Sequence, residues 1–204
     1  MRVDTDFEMV LVPFELRPSM PLEGWRVSEL EAAGHSDRVS EHLRRVAKKE
    51  GFPLVLPEFL PNTHKAHTLA ELARDHGSEI HEAVHRSIFA AYFAEGLDIG
   101  DEEILLTVAE GAGVDSAAAR LAWSEDRYDE RLHQFRHVAL HIGIDATPAT
   151  LVCNELIIGS RPAAVIREAL KRCGLHVHEE GEAVESERSD ATLAQTPQTQ
   201  RWPA

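Results

Sequence analysis

The chain has 204 residues, 43% of them hydrophobic, and its 21 Lys and Arg against 35 Asp and Glu give a formal net charge of −14 at pH 7. Such a charge repels phosphate backbones and anionic membrane surfaces, which excludes nucleic acid and membranes as general partners. The sequence has no apolar run near the roughly 18 residues that span a bilayer, no secretory leader pattern and only two cysteines, so we expect a cytoplasmic protein with one substantial core.

The N-terminal part of the chain predicts one strand and one helix. The segment "DFEMVLVPFEL" (residues 6–16) is apolar at successive positions, which is typical of a strand covered on both faces. A helix follows at residues 37–49 and stops at Gly51. Its basic residues are interpreted as a solvated helix face.

From residue 62 onward the hydrophobic period is that of helices. "NTHKAHTLAELARDHG" (residues 62–77) begins with Asn62 as a candidate N-cap and ends at Gly77. The next helix extends from Ser78 to near Gly96. Two amphipathic helices in succession predict an all-helical segment in the middle of the chain.

Two shorter helices and one longer helix complete this segment. The shorter ones are opened by Asp101 and Asp115, whose side chains suit an N-cap. The longer helix covers about residues 126–142 and is predicted to bury one apolar face. That face is formed by Leu132, Phe135, Ala139 and Ile142.

Strand chemistry returns near the C-terminus. "ATLVC" and "LIIGS" are two short β-runs separated by Asn154 and Glu155, which predicts a tight hairpin turn at those two residues. "RPAAVIREALKRCG" follows as a closing helix. Residues 179–204 have too little apolar content to offset the entropy of ordering them, and we predict them to be disordered.

Pro148 stands at the entrance to the first of these β-runs. Proline donates no ladder hydrogen bond and is normally kept out of strand interiors. The residue therefore either starts an edge strand or is a cis-proline kept for its shape.

Four segments carry a family resemblance. "VPFELRPSMP" (12–21), "NTHKAHTLAELARDHG" (62–77), "FAAYFAEGLDIGDEEILLTVAEGAGVD" (89–115) and "GIDATPATLVCNELIIGSRP" (143–162) resemble, in order and separation, the DsbA-like thioredoxin-fold oxidoreductases of the FrnE branch. The resemblance implies an α/β, thioredoxin-like fold with a mixed sheet and an inserted all-helical subdomain.

The same resemblance implies a domain organisation. Residues 1–61 would be the N-terminal part of the thioredoxin-like domain, and residues 62–125 the helical insertion. Residues 126–178 would be the C-terminal part of that domain, with the cis-proline hairpin and the closing helix, ahead of the tail at 179–204.

In that family the proline before the penultimate strand is cis, so the resemblance implies a cis Thr147–Pro148 bond. Thr147 and Pro148 would then bind substrate, because an extended chain can pair with the backbone of Thr147 as a strand is added to a sheet edge. The implied partners are proteins or peptides that contain thiols or disulfides, with glutathione as a further option. No cofactor is implied.

The sequence departs from the family at its catalytic motif. Family members begin with a strand and a Cys-x-x-Cys at the N-terminus of a helix, and neither has a counterpart here, so no catalytic residue can be identified. A start assigned too far downstream, a truncation and a lost activity all fit. The vacant strand position would favour a homodimer or aggregation.

The two cysteines present are Cys153 and Cys173. Cys153 is predicted inside a strand on the face of Leu151, as a buried, inert thiol. Cys173 falls in the last turn of the closing helix, where the negative end of the helix dipole disfavours a thiolate. A disulfide between them requires the helix end to pack against that strand.

The twelve histidines include groups at helical spacing. His133, His137 and His141 repeat at every fourth residue of one helix, and the pairs His81 with His85 and His64 with His67 also have spacings that suit a shared metal ion. No thiolate or His-Glu-x-x-His motif accompanies them. We interpret them as solvated or half-buried side chains, predict no metal site, and keep a weak transition-metal site as a side hypothesis.

Three functions therefore compete. The first is thiol–disulfide exchange by a DsbA-family oxidoreductase. The second is a glutathione-dependent reaction like that of the related 2-hydroxychromene-2-carboxylate isomerases. The third is a redox-inactive, thioredoxin-like module that binds extended peptides.

Overall fold

The computed structural model describes residues 7–28, 38–55 and 58–175. The chain divides into two compact units. We call residues 13–137 the helical unit, and residues 1–12 with 138–204 the hairpin unit, of which residues 7–12 and 138–175 are described. The predicted disordered tail at 179–204 lies outside the described residues.

The described residues contain helices and two small antiparallel sheets. The helices are α1 (Arg38–Glu50), α2 (His64–Asp75), α3 (Ser78–Phe89) with a π-helical continuation (Ala90–Ala94), α4 (Glu102–Gly111), α5 (Ser116–Ser124), α6 (Asp129–His141) and α7 (Ala163–Arg172). The strands are β1 (Trp25–Arg26), β2 (Phe59–Leu60), β3 (Ala149–Val152) and β4 (Glu155–Ile158). One sheet pairs β1 with β2, and the other pairs β3 with β4.

The core of the helical unit lies between α2, α3, α4 and α5. Leu69, Val84 and Leu105 are fully buried in one apolar cluster. Burying each such side chain stabilises the fold by about 1.5–3 kcal/mol relative to leaving it exposed. The 3.6-residue apolar period read from the sequence is therefore the period that forms this core.

Local capping sets where these helices begin. The carboxylate of Asp101 accepts hydrogen bonds from the backbone N–H groups of Glu103 and Ile104, and that of Asp115 accepts one from Ala117. Both aspartate N-caps were predicted from the sequence and are confirmed. Such a cap contributes about 1 kcal/mol because it satisfies backbone donors that the first helical turn leaves unpaired.

An ion network around the buried Glu71 joins α2 to α6. The fully buried Glu71 lies 3.0 Å from Nη2 of Arg74 and 3.3 Å from Nη1 of Arg131. Arg131 also contacts Asp75 at 3.0 Å, and the hydroxyl of Tyr128 donates to the same carboxylate at 2.7 Å. The carboxylate of Glu71 is thus shared between two arginines, one on each helix.

The hairpin unit has its own small core. Val152 and Ile157 of the hairpin pack with Ala169 and Leu170 of α7, and all four are buried. β3 and β4 pair with Ala149 opposite Ile158 and Val152 opposite Glu155. The two strands and the closing helix predicted here are confirmed, but the turn is formed by Cys153 and Asn154, one residue earlier than predicted.

Two further predictions about elements are wrong. Residues 7–16 form no strand, because no described strand pairs with them and Pro13 has no N–H to donate to a ladder. Ile142, predicted to be buried with Leu132, Phe135 and Ala139, follows the end of α6 and is 36% exposed.

Candidate functional site

The entrance to β3 is a cis-proline loop. The Thr147–Pro148 peptide bond is cis, which is the geometry that the sequence resemblance predicts. Both residues are exposed, and the carbonyl of Pro148 accepts a 2.8 Å hydrogen bond from the N–H of Gly159. The loop is thereby tied to the end of β4 while its outer face stays accessible to solvent.

The hydrogen-bond register of the hairpin determines which backbone groups of β3 face outward. Because Gly159 donates to Pro148, those two residues form a hydrogen-bonded pair, and such pairs alternate along an antiparallel ladder. Thr150 and Val152 therefore bond to β4, whereas the N–H and C=O of Ala149 and Leu151 point away from it. No described strand covers that side of β3. We call Thr147, Ala149 and Leu151 the open edge.

The hairpin turn carries a disulfide. Cys153 is bonded to Cys173, 20 residues further along the chain, with their Cα atoms 6.5 Å apart. The prediction of a buried, inert thiol inside a strand is wrong, because the earlier turn moves Cys153 out of β3 onto an exposed corner at φ 52°. A disulfide between these cysteines requires the end of α7 to pack against the hairpin, and it does so in the structure.

A second polar cluster lies in the helical unit, around His64 at the start of α2. Its Nδ1 is 2.8 Å from Glu15 Oε1 and its Nε2 is 3.0 Å from Asp129 Oδ1. The hydrogen bond and charge of Glu15, followed by those of Asp129, raise the pKa of His64 to about 9. At neutral pH the ring is therefore an imidazolium that donates to both carboxylates.

His64 and its neighbour His67 differ in charge at neutral pH. Burial lowers the pKa of His67 to about 4, so that ring is neutral at pH 7. Burial alone would raise the pKa of Glu15, but the hydrogen bond and charge of His64 bring it below its ordinary value. The cluster thus holds one fixed positive charge between two carboxylates.

A cavity of about 190 Å³ opens beside this cluster. Its lining includes His64, Lys65, Trp123, Asp126 and Asp129. The indole N–H of Trp123 donates to the carbonyl of Lys65 at 3.0 Å, and Asp126 is held at φ 48°. From the sequence, His64 is only half of a candidate metal-binding pair, and this cluster is not visible there because Glu15 and Asp129 are far from it along the chain.

The other histidine groups do not assemble a metal centre in the described residues, where no set of three or more His, Cys, Asp or Glu side chains has a metal-binding arrangement. The rings of His81 and His85 are 6.5 Å apart. Burial, and next the charge of Arg74, lower the pKa of His81 to about 4. None of the helices described is long and apolar enough to cross a bilayer.

Residues 1–171 match the DsbA-like thioredoxin domain family. The chain belongs to that family. The match includes the cis-proline loop, β3, β4 and nearly all of α7.

Individual proteins are similar to this chain in sequence or in fold. The uncharacterised protein YwbO of Bacillus subtilis is 27% identical over 168 residues, which cover 81% of this chain and 82% of that protein. A probable DsbA oxidoreductase of Streptomyces coelicolor superposes with a TM-score of 0.71 at 24% identity, covering 87% of this chain and 77% of its own. A 2-hydroxychromene-2-carboxylate isomerase gives 0.66 at 21% identity, covering 80% and 79%.

These structural likenesses establish the fold. The α/β, thioredoxin-like fold that the sequence predicts is confirmed. The assignment of Thr147 and Pro148 to substrate binding, and the domain boundaries drawn from the sequence, stay predictions.

Proposed function

We propose that this protein is a thiol–disulfide oxidoreductase of the DsbA-like family, on the FrnE branch, and that it holds its substrate as an extended peptide along the open edge. The observation that carries the proposal is that the outward backbone groups of β3, the strand that follows Thr147 and Pro148, have no described partner strand. An added strand gains affinity from main-chain hydrogen bonds, which exposed edges offer.

The side chains around the open edge support an extended, partly apolar substrate. Thr147 and Pro148 are exposed, and Leu151 is 43% exposed on the face of the hairpin opposite the buried Val152. Alternate residues of a bound strand would therefore meet Leu151, while its backbone pairs with Ala149 and Leu151. This arrangement gives affinity through the backbone and selectivity through one apolar contact.

The 204 residues include two cysteines and no Cys-x-x-Cys. The residues of this chain that support the proposal are accordingly those that bind substrate. Substrate binding and redox turnover need separate measurements for that reason.

Substrate binding is tested by a substitution that removes one backbone N–H group of the open edge. Leu151→Pro deletes an N–H that the hairpin ladder does not use, so the hairpin should tolerate it. Leu151→Ala is the matched control, because it removes the same side chain and keeps the N–H. The probe is a fluorescein-labelled insulin B chain whose cysteines are carboxymethylated, so that binding is measured without thiol exchange.

We expect Leu151→Pro to weaken binding of this peptide about five- to tenfold relative to Leu151→Ala, the equivalent of one lost hydrogen bond. Equal affinities of the two variants for the peptide would reject the open edge as the binding site. Circular dichroism of both variants verifies that they retain the secondary structure of the unsubstituted chain.

Redox turnover is tested by insulin reduction with dithiothreitol. Precipitation of insulin faster than in the protein-free reaction supports the oxidoreductase. Peptide binding without turnover identifies a redox-inactive binding module instead. Glutathione-dependent isomerisation of 2-hydroxychromene-2-carboxylate, with no insulin reduction, would identify the isomerase-like alternative.

The proposed homodimer concerns the same open edge. If a second copy pairs there, size-exclusion chromatography with light scattering will give a dimer that the peptide probe dissociates and that Leu151→Pro weakens. If the protein is a monomer at all concentrations, the homodimer is rejected. Peptide binding at the open edge is judged by the separate peptide experiment.

A further inference from the structure

The disulfide of the hairpin unit has one accessible partner and one sheltered partner. Cys153 is exposed in the two-residue turn, next to the equally exposed Asn154. Cys173 is half-buried and packs against the apolar cluster of β3, β4 and α7. A thiolate in solvent can therefore reach the sulfur of Cys153 more readily than that of Cys173.

The local electrostatics separate the two sulfurs in the same direction. Cys173 is the C-cap of α7, and its N–H donates to the carbonyls of Ala169 and Leu170. The negative end of the helix dipole disfavours a thiolate at this position. Cys153 lies on the turn, beyond the end of β3, and carries no such penalty.

Other contacts hold the same two elements together. The guanidinium of Arg172, the residue before Cys173, binds the carboxylate of Glu155 through Nε–Oε2 and Nη2–Oε1 contacts of 3.0 and 2.6 Å. The buried cluster of Val152, Ile157 and Leu170 lies beneath them. These contacts join α7 to the hairpin in addition to the S–S bond.

We propose that Cys153–Cys173 is a site of thiol–disulfide exchange with low-molecular-weight thiols and disulfides of the glutathione class, in which Cys153 is the reacting sulfur and Cys173 the resolving thiol. The site differs from the open edge and does not depend on peptide binding. It is also distinct from a Cys-x-x-Cys, because the two cysteines are 20 residues apart on a turn and at a helix end.

The exchange is reversible, and glutathione is the co-reactant in both directions. With both cysteines reduced, the Cys153 thiolate attacks one sulfur of oxidised glutathione, forms a mixed disulfide and releases one glutathione thiolate. The thiol of Cys173 loses its proton to solvent and attacks the sulfur of Cys153, which releases the second glutathione and closes the protein disulfide. In reverse, two glutathione thiolates reduce the pair, and the first of them bonds to Cys153.

The test uses the full chain reduced with dithiothreitol and freed of reductant, together with Cys173→Ser and Cys153→Ser. Each is mixed with oxidised glutathione and followed by intact-mass spectrometry. We expect Cys173→Ser to accumulate one glutathione on Cys153 at least about tenfold faster than Cys153→Ser accumulates it on Cys173, since rate follows thiolate fraction and access. The unsubstituted chain should reform its disulfide and retain no glutathione.

Equal rates in the two variants, a faster reaction at Cys173, or stable glutathione on the unsubstituted chain would each overturn the proposal. Circular dichroism verifies that the variants are folded. If either is unfolded, timed alkylation of the reduced, unsubstituted chain with iodoacetamide replaces it. Preferential labelling of Cys153 supports the proposal, and equal labelling of the two cysteines rejects it.

Discussion

Because His64 is charged in the folded state, the helical unit should become less stable as the pH becomes alkaline. Its pKa is about 9 in the folded protein against an ordinary 6.5, so the folded state favours the imidazolium. The resulting stabilisation is fully present below pH 6.5 and is lost as the pH rises through 9. At about 1.36 kcal/mol per pKa unit the difference would be about 3.4 kcal/mol at most.

Solvent reduces that figure. The side chain of His64 is 32% exposed and that of Asp129 is 35% exposed, so screening weakens the ion pairs. We take about 1–2 kcal/mol as the expected loss of unfolding free energy between about pH 6.5 and 9.

At acid pH, stability depends on two histidines whose pKa values are lowered by folding, not raised. Burial lowers the pKa values of His67 and His81 to about 4, so below pH 6.5 the unfolded chain binds protons that the folded chain rejects. Their contribution to stability is therefore lost as the pH falls from 6.5 towards 4. The two effects together predict maximum stability near pH 6.5.

Urea unfolding at about pH 5, 6.5 and 9 measures this profile. His64→Gln should remove the alkaline loss and leave the acid loss in place. His137→Gln, at an exposed position of α6, is the matched control and should retain both losses. An alkaline loss of the same size in His64→Gln and in the unsubstituted chain would refute the assignment of that loss to His64.

Five further substitutions, two of them controls, have defined outcomes. Glu71→Gln should lower the unfolding free energy by about 1.5–3 kcal/mol in urea melts, because it removes the buried charge that Arg74 and Arg131 share. Glu82→Gln on the exposed surface of α3 should cost less than about 0.5 kcal/mol. Gly24→Ala should cost clearly more than Gly51→Ala, since both residues have φ near +65° but only at Gly24 would a Cβ collide with Leu60 and Phe59; equal costs would exclude that collision. Asp101→Ala should lower the thermal midpoint by the equivalent of about 1 kcal/mol, because two N–H groups of α4 lose their acceptor.

The parts of the fold that sequence predicts well are those that depend on neighbours in the chain. Asp101 and Asp115 cap their helices through N–H groups two or three residues away, and a pattern within one turn contains all the information needed. The buried faces of α2 and α3 follow from apolar spacing for the same reason. The cis bond at Pro148 was predictable only through the family resemblance, because a sequence pattern alone leaves a strand-starting proline equally open.

The parts that sequence missed depend on distant partners. Residues 7–16 have the composition of a strand, but composition does not supply the neighbouring strand that a ladder requires. Glu15 and Asp129 meet His64 from 49 and 65 residues away along the chain. No periodicity in the sequence links three such positions, so the charge state of His64 became visible only in three dimensions.

The turn of the hairpin decides the chemistry of Cys153. Side chains alternate between the two faces of a strand, so displacing a turn by one residue changes which positions leave the ladder. With the turn at Asn154 and Glu155, as the sequence predicted, Cys153 would close the ladder as a strand residue. With the turn at Cys153 and Asn154, Val152 pairs with Glu155 and the sulfur reaches the end of α7. The same register turns the backbone of Leu151 outward, so the proposed exchange site and the open edge both depend on the pairing of Val152 with Glu155.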